Sequence, residues 1–253
     1  MSRAAVILIH GLGAHTGRWE FLAGFLTQKG FSCYAPVLQG SGESSVGIKG
    51  HLDSFKINYE DILELTKQIK HERPGEKVFL LGESLGGLLA FMLAIEYKEY
   101  YNGVVLISPA FNNGMHFPLI DLLTFLPMVF LSPQGMIKLP FTAAMITRDT
   151  EYQAKIESDS REIRFASARL LFNILKEGRR AQKIAGRLEQ PILFLLSGKD
   201  YMVDVAASRR VYANLMMEDK TLIEYSDMLH ALSIDLGREK VFADIVSWLS
   251  RHL

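Results

Sequence analysis

Short runs rich in apolar residues alternate with amphipathic segments over the first hundred positions of the chain. The runs of strand length are Ala4–Ile9, Phe31–Val37, Lys77–Leu81 and Gly103–Ile107. Between them, apolar residues recur at helical spacing in Arg18–Lys29, Asp53–His71 and Leu85–Tyr97. Strands that are apolar throughout and separated by helices indicate a parallel sheet that is covered on both faces.

This alternation stops at Ala110 and resumes after Pro191. The intervening segment has no convincing strand, only apolar stretches interrupted by prolines and one predicted helix, Arg161–Glu177. Beyond it we predict the strands Ile192–Leu196 and Thr221–Tyr225 and the helices Val205–Met217 and Arg238–Leu249. The chain is therefore predicted to be an α/β protein with a doubly wound, mostly parallel sheet of about six strands. A core of residues 1–109 and 188–253 would carry a helical cap, residues 110–187, inserted after the fourth strand.

Composition and charge narrow the classes of protein that the pattern allows. The 28 basic and 28 acidic residues cancel, so bulk charge attracts neither nucleic acid nor an anionic membrane. Four prolines interrupt the most apolar long stretch, Met115–Ile146, which is therefore not expected to span a bilayer. Ala4–Ile9 is too short for the apolar region of a signal peptide. The single cysteine, Cys33, fits a reducing compartment, and we expect a cytoplasmic protein.

The segment Gly82-Glu83-Ser84-Leu85-Gly86 carries the strongest chemical signal. It matches the G-x-S-x-G pattern and lies between a predicted strand and a predicted helix, the context in which a nucleophilic serine is held on a tight turn. Glycines flank such a serine because β-carbons would clash in the turn. We therefore predict Ser84 as a nucleophile, against the alternative of a glycine-rich turn without chemistry.

A serine nucleophile needs a base and an acid that orients the base. On this kind of sheet the acid and then the histidine follow the serine along the chain. His230 follows the last predicted strand, and Asp200 follows the strand before it. Asp204, later in the same loop, is the competing acid, and a capping or surface role is the alternative for His230.

Acyl transfer also needs amides that stabilise the oxyanion of a tetrahedral intermediate. One is expected from Leu85, at the start of the helix after Ser84, and the other from Leu12, in the loop after the first strand. His10, in the same loop, is expected to be a structural residue because it precedes Ser84 and His230 is the better base.

Four segments together resemble the monoacylglycerol lipase, lysophospholipase and small bacterial carboxylesterase branch of the α/β-hydrolases. They are His10–Gly13, Gly82–Gly87, Ser197–Asp204 and Leu229–Leu232, and the resemblance covers nearly the whole chain. It implies a serine esterase with a helical cap, no metal and no organic cofactor. By motif it places the nucleophile, acid and base on Ser84, Asp200 and His230.

The cap suggests the class of substrate. Its apolar residues, among them Phe117, Leu123, Leu126 and Met128, predict a tunnel for an acyl chain, with packing onto the sheet and helix Arg161–Glu177 as the alternative. We expect a carboxylic-ester hydrolase for monoacylglycerol-like or other medium-to-long acyl esters. Lysophospholipase, thioesterase and acyltransferase activities use the same chemistry and remain alternatives. A small-ester carboxylesterase and a non-catalytic binding protein are further alternatives. The substrate is the expected partner, and transient contact of the cap with a lipid surface is left open.

Overall fold

The structure is a computed structural model that describes residues 2–112 and 119–253, and their side chains except those of 119–124. Its strands are β1 (Ala5–Ile9), β2 (Ser32–Tyr34), β3 (Val78–Glu83), β4 (Gly103–Ile107), β5 (Met136–Lys138), β6 (Phe165–Ser167), β7 (Ile192–Ser197) and β8 (Lys220–Tyr225). Its α-helices are α1 (Glu20–Gln28), α2 (Lys56–Glu72), α3 (Leu85–Glu96), α4 (Leu119–Leu131), α5 (Ala143–Ile146), α6 (Thr150–Ser158), α7 (Ala168–Ile184), α8 (Val205–Ala213) and α9 (Arg238–Arg251).

Six of the strands form one parallel sheet in the order β2-β1-β3-β4-β7-β8. This confirms the predicted sheet. Because every pair is parallel, the carboxyl ends of the strands lie along one edge, and the loops that follow β1, β3, β7 and β8 meet there. Ligands of open α/β sheets bind at this edge.

Helices cover both faces of the sheet, as apolar strands require. Successive residues of β1 alternate between the two cores, with Ile7 on one side and Val6 on the other. Helices α2, α3, α7 and α8 supply the first core, and α1 and α9 supply the second. Helix α3 is buried from Leu85 to Ile95, which explains why it is apolar on every face.

The segment between β4 and β7 differs from the prediction in two ways. It contains a short antiparallel ribbon, β5 paired with β6, where no strand was predicted. The helix predicted over Arg161–Glu177 instead occupies Ala168–Ile184. Residues 165–167 pair in the ribbon, and the Ser167 hydroxyl then accepts a hydrogen bond from the Leu170 amide at 3.1 Å, which caps α7. In the part of the chain that the structure describes, no helix has the length and apolar character needed to cross a membrane.

Candidate active site

Ser84 stands at the turn between β3 and α3 in an unusual backbone conformation. Its φ is 58° and its ψ −119°, a region that residues with a β-carbon rarely adopt. The Ser84 amide donates to the carbonyl of Ile107 at 2.9 Å, and its carbonyl accepts from the amide of Leu88 at 3.1 Å. These bonds to a strand and a helix hold a strained serine at the edge of the sheet, as an exposed nucleophile requires.

The two glycines of the motif are required by close backbone contacts. A β-carbon at Gly82 would lie 2.1 Å from the carbonyl oxygen of Gly86. One at Gly86 would lie 1.9 Å from the carbonyl oxygen of Ile9, in β1. Both distances are far below van der Waals contact, so the turn closes only with glycine at these positions.

His230 and Asp200 meet at the same edge. His230 Nδ1 lies 2.7 Å from Asp200 Oδ2, while Asp200 Oδ1 accepts hydrogen bonds from the amides of Met202 and Val203 at 2.8 and 3.0 Å. With Nδ1 as the donor, the lone pair of neutral His230 is on Nε2. That atom is buried and has no hydrogen-bond partner among the residues that the structure describes. It is therefore free to accept a proton from a group in the neighbouring pocket.

The contact between His230 and Asp200 shifts the pKa of both side chains. Burial acts to raise the pKa of the Asp200 carboxyl, but the charge and hydrogen bond of His230 and the two amides outweigh it and lower that pKa. For His230, burial acts to lower the pKa, while the carboxylates of Asp200 and Glu83 outweigh it and raise that pKa above 6.5.

The competing acid, Asp204, lies elsewhere. Its Oδ2 accepts from Arg210 Nη2 at 3.0 Å and from Asn112 Nδ2 at 3.3 Å. The structure thus brings Asp200, and not Asp204, to His230.

The loop after β1 lies against the turn of Ser84. A β-carbon at Gly11 would be 3.1 Å from the Ser84 β-carbon. The amides of Leu12 and Leu85 find no hydrogen-bond acceptor within the described ranges, which leaves both available as donors. His10 supports this loop through Nδ1, 3.0 Å from the Gly11 carbonyl, and through Nε2, which accepts from the Leu38 amide at 3.5 Å. Burial lowers the pKa of His10 to about 4, so the ring is neutral.

A pocket opens over Ser84 and His230, and most of its remaining wall comes from the segment between β4 and β7. The apolar part of that wall consists of Leu139, Phe141, Ala143, Ile146, Ile156 and Ile163. The polar part of the lining is formed by Arg18, Glu83, Glu162 and Arg164. The pocket therefore combines an apolar surface with a charged one.

Of the four residues predicted for the acyl tunnel, the two whose side chains the structure describes do not form this wall. Phe117 and the side chain of Leu123 lie outside the described part of the chain. Leu126 is 43% exposed, and neither it nor the half-buried Met128 lines the pocket. Helix α4 instead buries Val129, and its Phe130 contacts Phe172 of α7 with ring centroids 6.4 Å apart.

A hydrogen-bond network that could not be predicted from the sequence joins the His230 loop to the segment around α5. The fully buried Asp235 accepts from the amides of Leu229 and Arg148 at 2.8 and 2.6 Å, and from Arg148 Nε at 2.9 Å. The amide of Ala231 donates to the Ile146 carbonyl at 3.0 Å. Both neighbours of His230 are thereby fixed. No motif marks Asp235, since Arg148 lies 87 residues away from it in the sequence.

No group of three or more histidine, cysteine, aspartate or glutamate side chains suited to a metal ion occurs in the residues that the structure covers.

The parallel sheet with a serine on its strand-to-helix turn defines an α/β-hydrolase. Within this class the chain belongs to the family described as serine aminopeptidase, S33, whose model matches residues 1–237. The monoglyceride lipase of Mus musculus is 27% identical over 99% of this chain and 84% of its own length. The monoacylglycerol lipase of Mycolicibacterium smegmatis is 28% identical over 99% and 89%. The crystal structure of Paleococcus ferrophilus monoacylglycerol lipase superposes with a TM-score of 0.91 at 29% identity, covering 100% of this chain and 96% of that one. The chain is thus a member of the monoacylglycerol lipase branch of the α/β-hydrolases.

Proposed function

We propose that this chain is a serine esterase that hydrolyses monoacylglycerol-like esters through an acyl-enzyme on Ser84. The observation that carries the proposal is the state of His230, whose Nδ1 is bonded to Asp200 while its buried Nε2 is unpartnered beside the pocket of Ser84. This is the arrangement that a general base for a serine hydroxyl requires.

The first half of the reaction follows from these positions. Ser84 Oγ attacks the ester carbonyl carbon as His230 Nε2 takes its proton, and the amides of Leu12 and Leu85 donate to the oxyanion that forms. The Asp200 carboxylate stabilises the imidazolium. When the tetrahedral intermediate collapses, the bond from carbon to the alcohol oxygen breaks, and the alcohol takes the proton from His230.

The second half uses the same groups with water as the nucleophile. His230 Nε2 accepts a proton from water, whose oxygen attacks the acyl carbon of the Ser84 ester. Collapse of this second intermediate releases the carboxylic acid and returns the proton to Ser84 Oγ. Every proton thus passes through one nitrogen, and no other co-reactant is needed.

The pocket supports an ester with an apolar acyl part and a polar alcohol. Leu139, Phe141 and Ile146 offer an apolar surface, whereas Arg18, Glu162 and Arg164 offer charged groups to hydroxyls. The names of the relatives from Mus musculus and Mycolicibacterium smegmatis agree with such a substrate. We propose residues 110–187 as a cap over a core of 1–109 and 188–253, because pocket residues 139–164 face Ser84 from this segment.

We make two finer proposals, one about where in the cell the protein is located and one about its contact with lipid. A cytoplasmic location is supported by the half-buried free thiol of Cys33, whose pKa burial raises to about 11.

Transient contact with a lipid surface is supported by α4, on which Phe130 is 68% and Leu131 86% exposed. Co-sedimentation with neutral phospholipid vesicles tests this contact. Phe130→Ser with Leu131→Ser should abolish it, whereas Val46→Ser, at an exposed site outside the proposed cap, should not.

The test of function varies first the acyl chain of the ester and then its alcohol. Initial rates are measured on p-nitrophenyl esters from acetate to palmitate, and on a monoacylglycerol and the methyl ester of the same acid, with Ser84→Ala as the blank. We expect Ser84-dependent turnover, a preference for long chains, and a higher kcat/KM for the monoacylglycerol. A preference for acetate would contradict the acyl pocket. Turnover of aminoacyl anilides without ester turnover would indicate a peptidase instead.

A further inference from the structure

Glu83 is a buried acid directly before Ser84, and the proposed mechanism assigns it no role. It is 7% exposed, and it lines the same pocket as Ser84 and His230. The pattern G-x-S-x-G leaves its position unspecified. A carboxyl group is costly to bury, so its presence here calls for compensating contacts.

Those contacts come from the loop of His230. Glu83 Oε1 accepts a hydrogen bond from the Ser233 amide at 3.1 Å, and Glu83 Oε2 accepts one from the Ser233 hydroxyl at 2.8 Å. Ser233 is fully buried and lies three residues after His230. One carboxyl group therefore ties the residue beside the nucleophile to the loop of the base.

The charge of Glu83 also acts on His230. Burial raises the pKa of Glu83, while the charge of His230, the bonds of Ser233 and the charge of Arg18 partly offset it. Besides each other, the charged or titratable groups near Glu83 and His230 include Arg18, Asp200 and, on α6, Tyr152. Glu162 and Arg164 line the same pocket. Arg18 is itself paired with Glu162, whose Oε1 lies 2.7 Å from its Nε.

We infer that Glu83 is a positioning residue that fixes the His230 loop against Ser84 and adds a second carboxylate charge to the one that Asp200 places on the imidazole. The inference rests on the proposed function, since it assigns His230 as the base. The charge stabilises the imidazolium that forms when Ser84 attacks, and the two bonds to Ser233 keep the base in register with the nucleophile.

The test separates the charge from the bonds. Glu83→Gln removes the charge but keeps the side-chain length and a carbonyl acceptor for Ser233. Glu83→Asp keeps a charge and loosens the bonds, and Ser233→Ala removes one bond and keeps the charge. The readout is the titration of His230 in protein carrying ¹³C-labelled histidine, followed by NMR and assigned with His230→Gln.

We expect Glu83→Gln to lower the pKa of His230 by about one pH unit, because a neighbouring negative charge favours the imidazolium. Glu83→Asp and Ser233→Ala should leave this pKa near that of the parent protein while lowering kcat. The acid limb of kcat/KM should move to lower pH in Glu83→Gln alone. A purely structural role for Glu83 predicts no such difference between the variants, and an unchanged His230 pKa in Glu83→Gln would overturn the inference.

One further measurement covers the case in which the variant does not fold. If Glu83→Gln does not fold, the unmodified protein labelled with ¹³C-glutamate answers the question, because interacting groups each show an inflection at the pKa of the other. Absence of a shared inflection overturns the inference. The titration needs no substrate, so a protein that turns over no ester but shows the shift would refute the proposed function and leave the electrostatic role of Glu83 intact.

Discussion

The carboxylate of Asp235 accepts a hydrogen bond of 2.8 Å from the amide of Leu229, the residue before His230. The same carboxylate binds Arg148 through its backbone amide and its guanidinium, at 2.6 and 2.9 Å. The loop of the base and the wall of the pocket are thus joined through one fully buried acid.

Replacing this acid should therefore affect both stability and catalysis. Asp235→Asn keeps the size of the side chain but leaves Arg148 without its ion-pair partner. We expect it to lower the free energy of unfolding by about 2 kcal/mol, because a buried carboxylate loses its charge-assisted hydrogen bonds while the Arg148 side chain is 35% exposed. It should also lower kcat as the His230 loop loosens. Urea denaturation and steady-state kinetics measure the two effects.

Asp227→Asn is the matched control. The Asp227 side chain is 77% exposed and pairs at 3.3 Å with Lys199, whose side chain is 53% exposed. Exposed pairs contribute at most about 1 kcal/mol. Equal destabilisation by the two substitutions would show that the buried network is not what holds the loop.

The acid of the triad can be identified by a second pair of variants. Asp200→Asn should lower kcat about 10⁴-fold, because an asparagine no longer fixes the tautomer of His230 or stabilises its charge. Asp204→Asn should change kcat little, since Asp204 binds Arg210 and Asn112 instead. A large loss of activity in Asp204→Asn with little loss in Asp200→Asn would reverse the assignment.

The dependence of activity on pH follows from the environment of His230. Burial acts against the imidazolium, but Asp200 and Glu83 raise the pKa of His230 above 6.5. Because only neutral His230 can accept the proton of Ser84, kcat/KM should rise with pH and reach half its maximum above pH 6.5. The measurement is kcat/KM on one soluble ester across pH. His71→Gln, on the surface of α2, should leave the curve unchanged, and a midpoint at or below pH 6.5 would contradict the account.

The glycines of the chain provide a test of the turn at Ser84. Gly86→Ala should prevent folding or remove activity, because its β-carbon would lie 1.9 Å from the Ile9 carbonyl oxygen. Gly24, within α1, has no atom within 4 Å of the place of its β-carbon. Gly24→Ala should therefore stabilise the protein by about 0.5–1 kcal/mol, as in helices generally. Thermal unfolding and ester turnover compare the two variants, and an active, folded Gly86→Ala would contradict the geometry.

Much of the fold could be read from local patterns. Fully buried parallel strands are apolar throughout, so β1, β3, β4 and β7 stand out in the sequence. The turn at Ser84 could be predicted because close backbone contacts require glycine at positions 82 and 86. His230 and Asp200 could be placed because the ends of parallel strands meet at one edge.

The pocket could not be predicted in the same way. Its wall depends on how residues 139–164 pack across the sheet edge, and no periodicity encodes that packing. The sequence pattern of residues 161–167 is typical of a helix. However, Phe165–Ser167 pairs with Met136–Lys138, and Ser167 caps the helix, so α7 begins only at Ala168. The partners of Glu83 and Asp235 are likewise set by long-range contacts. Ser233 is 150 residues from Glu83, and Arg148 is 87 residues from Asp235.

The proposed reaction passes through a covalent acyl intermediate on Ser84. Acid quenching during ester turnover can capture this intermediate. The protein is mixed with a p-nitrophenyl ester, quenched within the first turnovers, and its intact mass and peptides are measured. We expect a mass increase equal to one acyl group, located on Ser84 and absent from Ser84→Ala, which should also lack turnover. An acyl group on another residue, or full turnover by Ser84→Ala, would contradict it.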